Sequence, residues 1–128
     1  MKIFICEQDP CRAKLIQDIL GVYNYKIVTV SKYNEFFKEA YNQKPSIIII
    51  HDTFAENAGV DMMGRLRKDP LTAKIPVIYI SNGSGSENKV KPTGYDTLTQ
   101  VVQEPFKIKN FRHYIDRWTT FRSLYVKH

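Results

Sequence analysis

The run Ile47-Ile48-Ile49-Ile50, entered through Pro45-Ser46 and closed by His51-Asp52, restricts the folds open to this chain more than any other stretch. Consecutive β-branched residues with no polar alternation leave no face for water, so the segment suits a strand buried on both sides in a parallel sheet covered by helices. It is expected to be the central strand. In such sheets ligands and chemistry gather beyond the carboxyl ends of the strands, where His51 and Asp52 stand.

The rest of the chain alternates strand and helix. Lys2–Cys6 reads as a buried strand. Asp9 as N-cap and Pro10 at the first helical position start a helix expected to turn Leu15, Ile16, Ile19 and Leu20 inward, and residues 21–25 end it. Lys26–Val30 is a second strand, and Ser31 is expected to cap a helix burying Phe36, Phe37, Ala40 and Tyr41. After the isoleucine strand, residues 53–59 read as a loop and 60–68 as a helix with Met62, Met63 and Leu66 on its apolar side, stopped by Asp69-Pro70. Residues 75–80 are a fourth strand closing at Ser81, and 98–103 a fifth. From Phe106 a last helix carries Phe111, Ile115, Trp118 and Tyr125 on one side, with Tyr114 and Phe121 beside them. Between the last two strands, Gly83, Gly85, Gly94, Ser84, Ser86 and Pro92 predict a short or irregular helix. Its stretch 83–89 lacks the Gly-Lys-Ser/Thr ending of a phosphate-binding loop and is expected to be a connection. This alternation implies right-handed crossovers and a parallel sheet.

At 128 residues the chain fits one domain, residues 1–128, with enough length to bury a core. Its apolar start is too short for a signal-peptide core and no run approaches membrane-spanning length, so a cytoplasmic protein without membrane contact is expected. Cys6 and Cys11 form no metal-ligand spacing and are expected to be free thiols. The net charge of +6 is concentrated late: residues 101–128 carry Lys107, Lys109, Arg112, Arg117, Arg122 and Lys127 against Glu104 and Asp116. With no helix-turn-helix pattern beside it, this basic stripe is expected to be a solvated helix face, and nucleic acid is not the expected partner.

In the order and spacing of several motifs the chain resembles the receiver domain of bacterial response regulators, the CheY-like family, over nearly its whole length. The carriers are Glu7-Gln8-Asp9-Pro10 after the first strand, a proline ahead of the third, Leu66-Arg67-Lys68-Asp69-Pro70 with Thr72 and Ile75-Pro76-Val77-Ile78 up to Ser81, and Glu104-Pro105-Phe106 after the fifth strand. The resemblance implies a flavodoxin-like five-stranded sheet of order 2-1-3-4-5 with helices on both faces. It also implies a pocket in which an aspartate at the end of the third strand accepts a phosphoryl group. Two acids after the first strand hold Mg²⁺ with it. A Ser or Thr and a lysine bind the phosphoryl oxygens, and an aromatic shortly before the lysine reports the change.

Mapped onto that pattern, the acceptor position is His51, the acid pair is reduced to Glu7 with Gln8, although Asp9 follows, and Ser81 is retained. Glu104 stands where the lysine belongs, reversing its sign, and Val101 stands at or next to the switch position. The expectation is therefore a degenerate pseudo-receiver, not an enzyme, with Mg²⁺ binding weak or absent and no cofactor. It would work by protein–protein contact in a two-component or phosphorelay pathway, with an output domain or a second copy of the chain as further candidate partners. By family analogy the contact face joins the irregular fourth helix, the fifth strand and the last helix, through Val101, Lys109, Arg112 and Tyr125. Asp52 should aim away from the pocket lined by Glu7, Ser81 and Glu104, because strand neighbours alternate. His51 is expected to hydrogen-bond or ion-pair with Glu7 or Glu104 in preference to joining Glu7, Asp9 and Glu104 around a metal. Two alternatives stay open: a working receiver phosphorylated at Asp52 or His51, and nucleic-acid binding through the basic last helix.

Overall fold

The computed structural model describes residues 1–82 and 98–126, with side chains as far as Thr119. Five parallel strands, β1 (Lys2–Cys6), β2 (Lys26–Val30), β3 (Ile47–His51), β4 (Val77–Ser81) and β5 (Thr99–Gln103), lie in the order β2-β1-β3-β4-β5. The isoleucine strand is central, with Ile48 beside Val77 of β4 and Phe4 of β1. All four isoleucines are 0% exposed, each contributing about 2 kcal/mol by burial.

Helices cover both faces. On one, α1 (Pro10–Leu20) and α5 (Ile108–Val126) pack Ile16, Ile19, Leu20, Phe111, Ile115 and Trp118 onto Ile3, Ile5, Ile47, Ile49, Ile78 and Ile80. On the other, α2 (Tyr33–Gln43), α3 (Asp52–Asn57) and α4 (Met62–Lys68) pack Phe36, Phe37, Phe54, Met62, Met63 and Leu66 onto Phe4, Cys6, Ile48, Ile50, Val77 and Tyr79. Alternation along each strand sorts its residues between the two cores, and the same alternation governs the polar residues at the strand ends.

Several local expectations are corrected. Residues 53–59 are not a plain loop: α3 starts at Asp52, because the His51 imidazole caps the Thr53 N–H and Phe54, 1% exposed, draws the segment onto the sheet. Gly59, at φ +72°, then makes the turn that a side chain would strain. The next helix begins at Met62 behind the Asp61 cap, not at residue 60. Lys32, not Ser31, holds the cap position of α2, and its side chain makes no capping bond. Leu15 faces outward at 51% exposure, since Ala13, Ile16, Ile19 and Leu20 already fill the buried stripe of α1. Cys6 is buried and Cys11 exposed, both free. The expected irregular helix after β4 lies outside the described residues.

Candidate functional site

The carboxyl ends of β1, β3 and β5 converge on the α1/α5 side of the sheet. Strand alternation delivers Glu7 and His51 to this side, following Ile3 and Ile5 on β1 and Ile47 and Ile49 on β3. Glu104 follows β5 and is joined to β4 by a backbone bond, its N–H donating to the Ser81 carbonyl at 2.9 Å. The Glu104–Pro105 peptide is cis.

His51 is 2% exposed and both of its ring nitrogens are engaged. The Thr53 backbone N–H points to Nδ1 at 3.2 Å, and a backbone amide can only donate, so Nδ1 is an acceptor and the ring proton belongs on Nε2. Nε2 then donates to Glu104 Oε1 at 3.0 Å. The Thr53 hydroxyl, 3.0 Å from Nδ1, donates to the same lone pair, and its oxygen accepts from Arg12 Nη2 at 3.3 Å. The donations run in one direction, from Arg12 through Thr53 and His51 to Glu104.

Glu7, 1% exposed, is paired elsewhere. Its Oε1 lies 3.8 Å from His51 Nδ1, which is no hydrogen bond and, with Nδ1 accepting, no ion pair either. Arg12 Nε donates to Oε1 at 2.6 Å, and the Asp9 amide donates to Oε2 at 3.2 Å. The hydrogen bond to Glu7 is the main reason the Arg12 guanidinium holds its proton even more tightly than usual. Asp9 Oδ2 stands 3.6 Å from Arg12 Nη1, while Oδ1 caps α1 at the Cys11 N–H, 2.8 Å away. Arg12 and Thr53 are thus the site residues that sequence reading missed. Their signal was positional: Asp9-Pro10 fixes the start of α1, which aims its third residue back at the end of β1.

The remaining candidates lie apart from this chain of bonds. Asp52 is 6% exposed on the opposite side, accepting from the Tyr79 hydroxyl at 2.7 Å and the Asn82 N–H at 3.4 Å. Burial first, then Asp52, pushes the Tyr79 phenol well above its ordinary pKa. Ser81, also buried, closes β4 beside Gln103 of β5. Gln8 lines a separate cleft of about 390 Å³ with Ser31, Lys32, Tyr33, Asn34 and Phe54. Of the expected contact face, Lys109 is exposed and Val101 is half-buried against the α2/α4 core. Arg112 is turned inward, donating through Nε and Nη2 to the Ile19 carbonyl at 3.2 and 3.1 Å and so tying α5 to α1. That contact withdraws Arg112 from the basic stripe as well. The Tyr125 side chain lies outside the described residues.

No protein-family model matches this sequence and no curated protein matches it. Solved structures do match. A response regulator from Desulfuromonas acetoxidans aligns over 94% of this chain and 97% of its own, at 20% identity and a TM-score of 0.75. The signal receiver domain of a DNA-binding response regulator from Colwellia psychrerythraea aligns over 94% and 98%, at 18% identity and a TM-score of 0.78. The receiver domain of a sensor histidine kinase from Pseudomonas aeruginosa aligns over 91% and 95%, at 16% identity and a TM-score of 0.76. The chain has the receiver-domain fold. The Pseudomonas domain is described with a magnesium ion coordinated in its active-site cleft. The residues here do not fit that ion: the end of β3 presents an imidazole, and the Arg12 guanidinium sits on Glu7, the buried acid after β1.

Proposed function

We propose that this chain, residues 1–128 acting as one receiver-like unit, is a signalling module of a two-component or related pathway. It binds protein partners without being phosphorylated on an aspartate and without catalytic turnover of its own. The observation that carries this reading is the engagement of both His51 nitrogens: Nδ1 accepts from Thr53 and Nε2 donates to Glu104, which leaves no lone pair free for a phosphoryl group. Glu104 adds a carboxylate where a transferred dianion would need a positive partner. Asp52, one residue on, already accepts from Tyr79 and Asn82 on the far side of the sheet.

Partners of this kind include a kinase, an output domain or a second copy of the chain, met in the cytoplasm. Among the described residues no helix is long and apolar enough to cross a membrane. Exposed Lys109 on α5 is the described residue of the expected face that remains available for contact. The test is incubation of the protein with Mg²⁺ and acetyl phosphate, or with beryllofluoride, read by intact mass and by fluorine NMR. The expected result is no adduct and no bound fluoride signal. A stable adduct mapped to His51 or Asp52 would defeat the reading.

A further inference from the structure

We infer that Arg12 is the pocket's built-in counter-cation: its guanidinium fills the place a divalent ion would take between Glu7 and Asp9, and so makes the native chain indifferent to such ions. This rests on the reading proposed above and adds to it the residue that enforces it.

A carboxylate as buried as Glu7, at 1% exposure, requires a positive partner, because an unpaired charge removed from water is costly. Each element around it can be asked for one. His51 on β3 presents an accepting Nδ1 at 3.8 Å, Glu104 after β5 has the same sign as Glu7, and so does Asp9. Among these neighbours Arg12, from α1, supplies the opposite charge. It reaches three oxygens from two segments, the β1–α1 connection and α3: Glu7 Oε1 at 2.6 Å, Asp9 Oδ2 at 3.6 Å and Thr53 Oγ1 at 3.3 Å. Carboxylate and hydroxyl oxygens are what a hard divalent ion takes as ligands, and at this point each is held by a different nitrogen of one guanidinium, Nε, Nη2 and Nη1. A guanidinium at that point repels such an ion and holds the oxygens it would need. The Arg12 side chain is 37% exposed, so its removal opens the site from the solvent side.

The experiment titrates Mn²⁺ into wild type, Arg12→Ala and the double variant Arg12→Ala/Glu7→Gln, reading free Mn²⁺ by electron paramagnetic resonance and thermal midpoints by circular dichroism. Wild type should leave the free-ion signal unchanged. Arg12→Ala should take up the ion at least about ten-fold more tightly than wild type and melt higher with it, and the double variant should lose both responses. Equal uptake by wild type and Arg12→Ala, or none by a folded Arg12→Ala, overturns the inference. If Arg12→Ala is unfolded alone, Mn²⁺ must restore its circular dichroism; failure to do so also overturns it. The acetyl phosphate reaction of wild type is scored separately. An adduct there would sink the functional reading while leaving the Mn²⁺ contrast to be judged by itself.

Discussion

At the amino ends of β4 and β5, Arg67 of α4 donates to the carbonyls of Ala73, Ile75 and Leu98 and to Thr99 Oγ1, at 3.1, 2.7, 3.2 and 2.9 Å. At the carboxyl ends of β1 and β3, Arg12 of α1 donates instead to the Glu7 carboxylate and to Thr53. The two side chains are chemically identical, yet their partners give them different roles. Arg67 binds neutral dipoles, so it acts as a structural staple between the loop before β4 and the start of β5. Arg12 neutralises a charge, a task any suitably placed cation can perform. The amino end of the sheet is therefore closed for stability, and the carboxyl end is where composition decides what the molecule can accept.

The sharpest way to break this comparison is at the staple. Arg67→Ala takes a donor from the Ala73, Ile75 and Leu98 carbonyls, of which Leu98 keeps its bond from the Val77 N–H, and should lower stability by about 3 kcal/mol in urea unfolding, with no Mn²⁺ uptake. A loss confined to a few tenths would show that water replaces it. Arg12→Ala should cost less, about 2 kcal/mol, because the guanidinium is partly solvated and screened. Most of that loss should return in Arg12→Leu/Glu7→Gln, where no unpaired charge remains. If the double variant is as unstable as Arg12→Ala, charge pairing is not what Arg12 does.

Asp52 sharpens the same contrast on the far side of the sheet. Tyr79→Phe should cost about 1 kcal/mol, the worth of one hydrogen bond, and leave the Mn²⁺ and acetyl phosphate results untouched. The smallest effect is invisible at neutral pH. Burial and the bond to Asp116, 2.8 Å away, push the Tyr23 phenol up from 10.0 to about 12. A raised pKa means the folded chain holds this proton more tightly, so the contribution is intact below pH 10 and disappears as pH climbs through about 12. Denaturation midpoints should fall across that interval, and Tyr23→Phe should flatten the fall. An unchanged slope in the variant would assign the alkaline loss to other groups.

How far the sequence could be read differs between fold and site. The isoleucine run, the Asp9-Pro10 helix start and the buried face of α5 at Phe111, Ile115 and Trp118 are all local signals, and each appears where it was expected. The boundaries that slipped did so where tertiary contacts override local chemistry: Phe54 pulls an expected loop into α3, and Leu15 loses its place inside to Ala13 and Ile16. Within the site, His51 and Glu104 were legible as residues out of pattern. The partner of Glu7 was not, since Arg12 reads in sequence as an ordinary polar residue of a helix.

What the amino-acid order determined by itself is the sheet, because strand period and unbroken β-branched runs act over a few residues and need no knowledge of neighbours. Only the folded chain decided which charge faces which: Arg12 on Glu7, Glu104 on His51, Tyr79 on Asp52, Arg112 on a carbonyl of α1. Such pairs join segments as distant as residues 19 and 112. Side-chain reach selects them in space, and it leaves no mark on the linear pattern of residues.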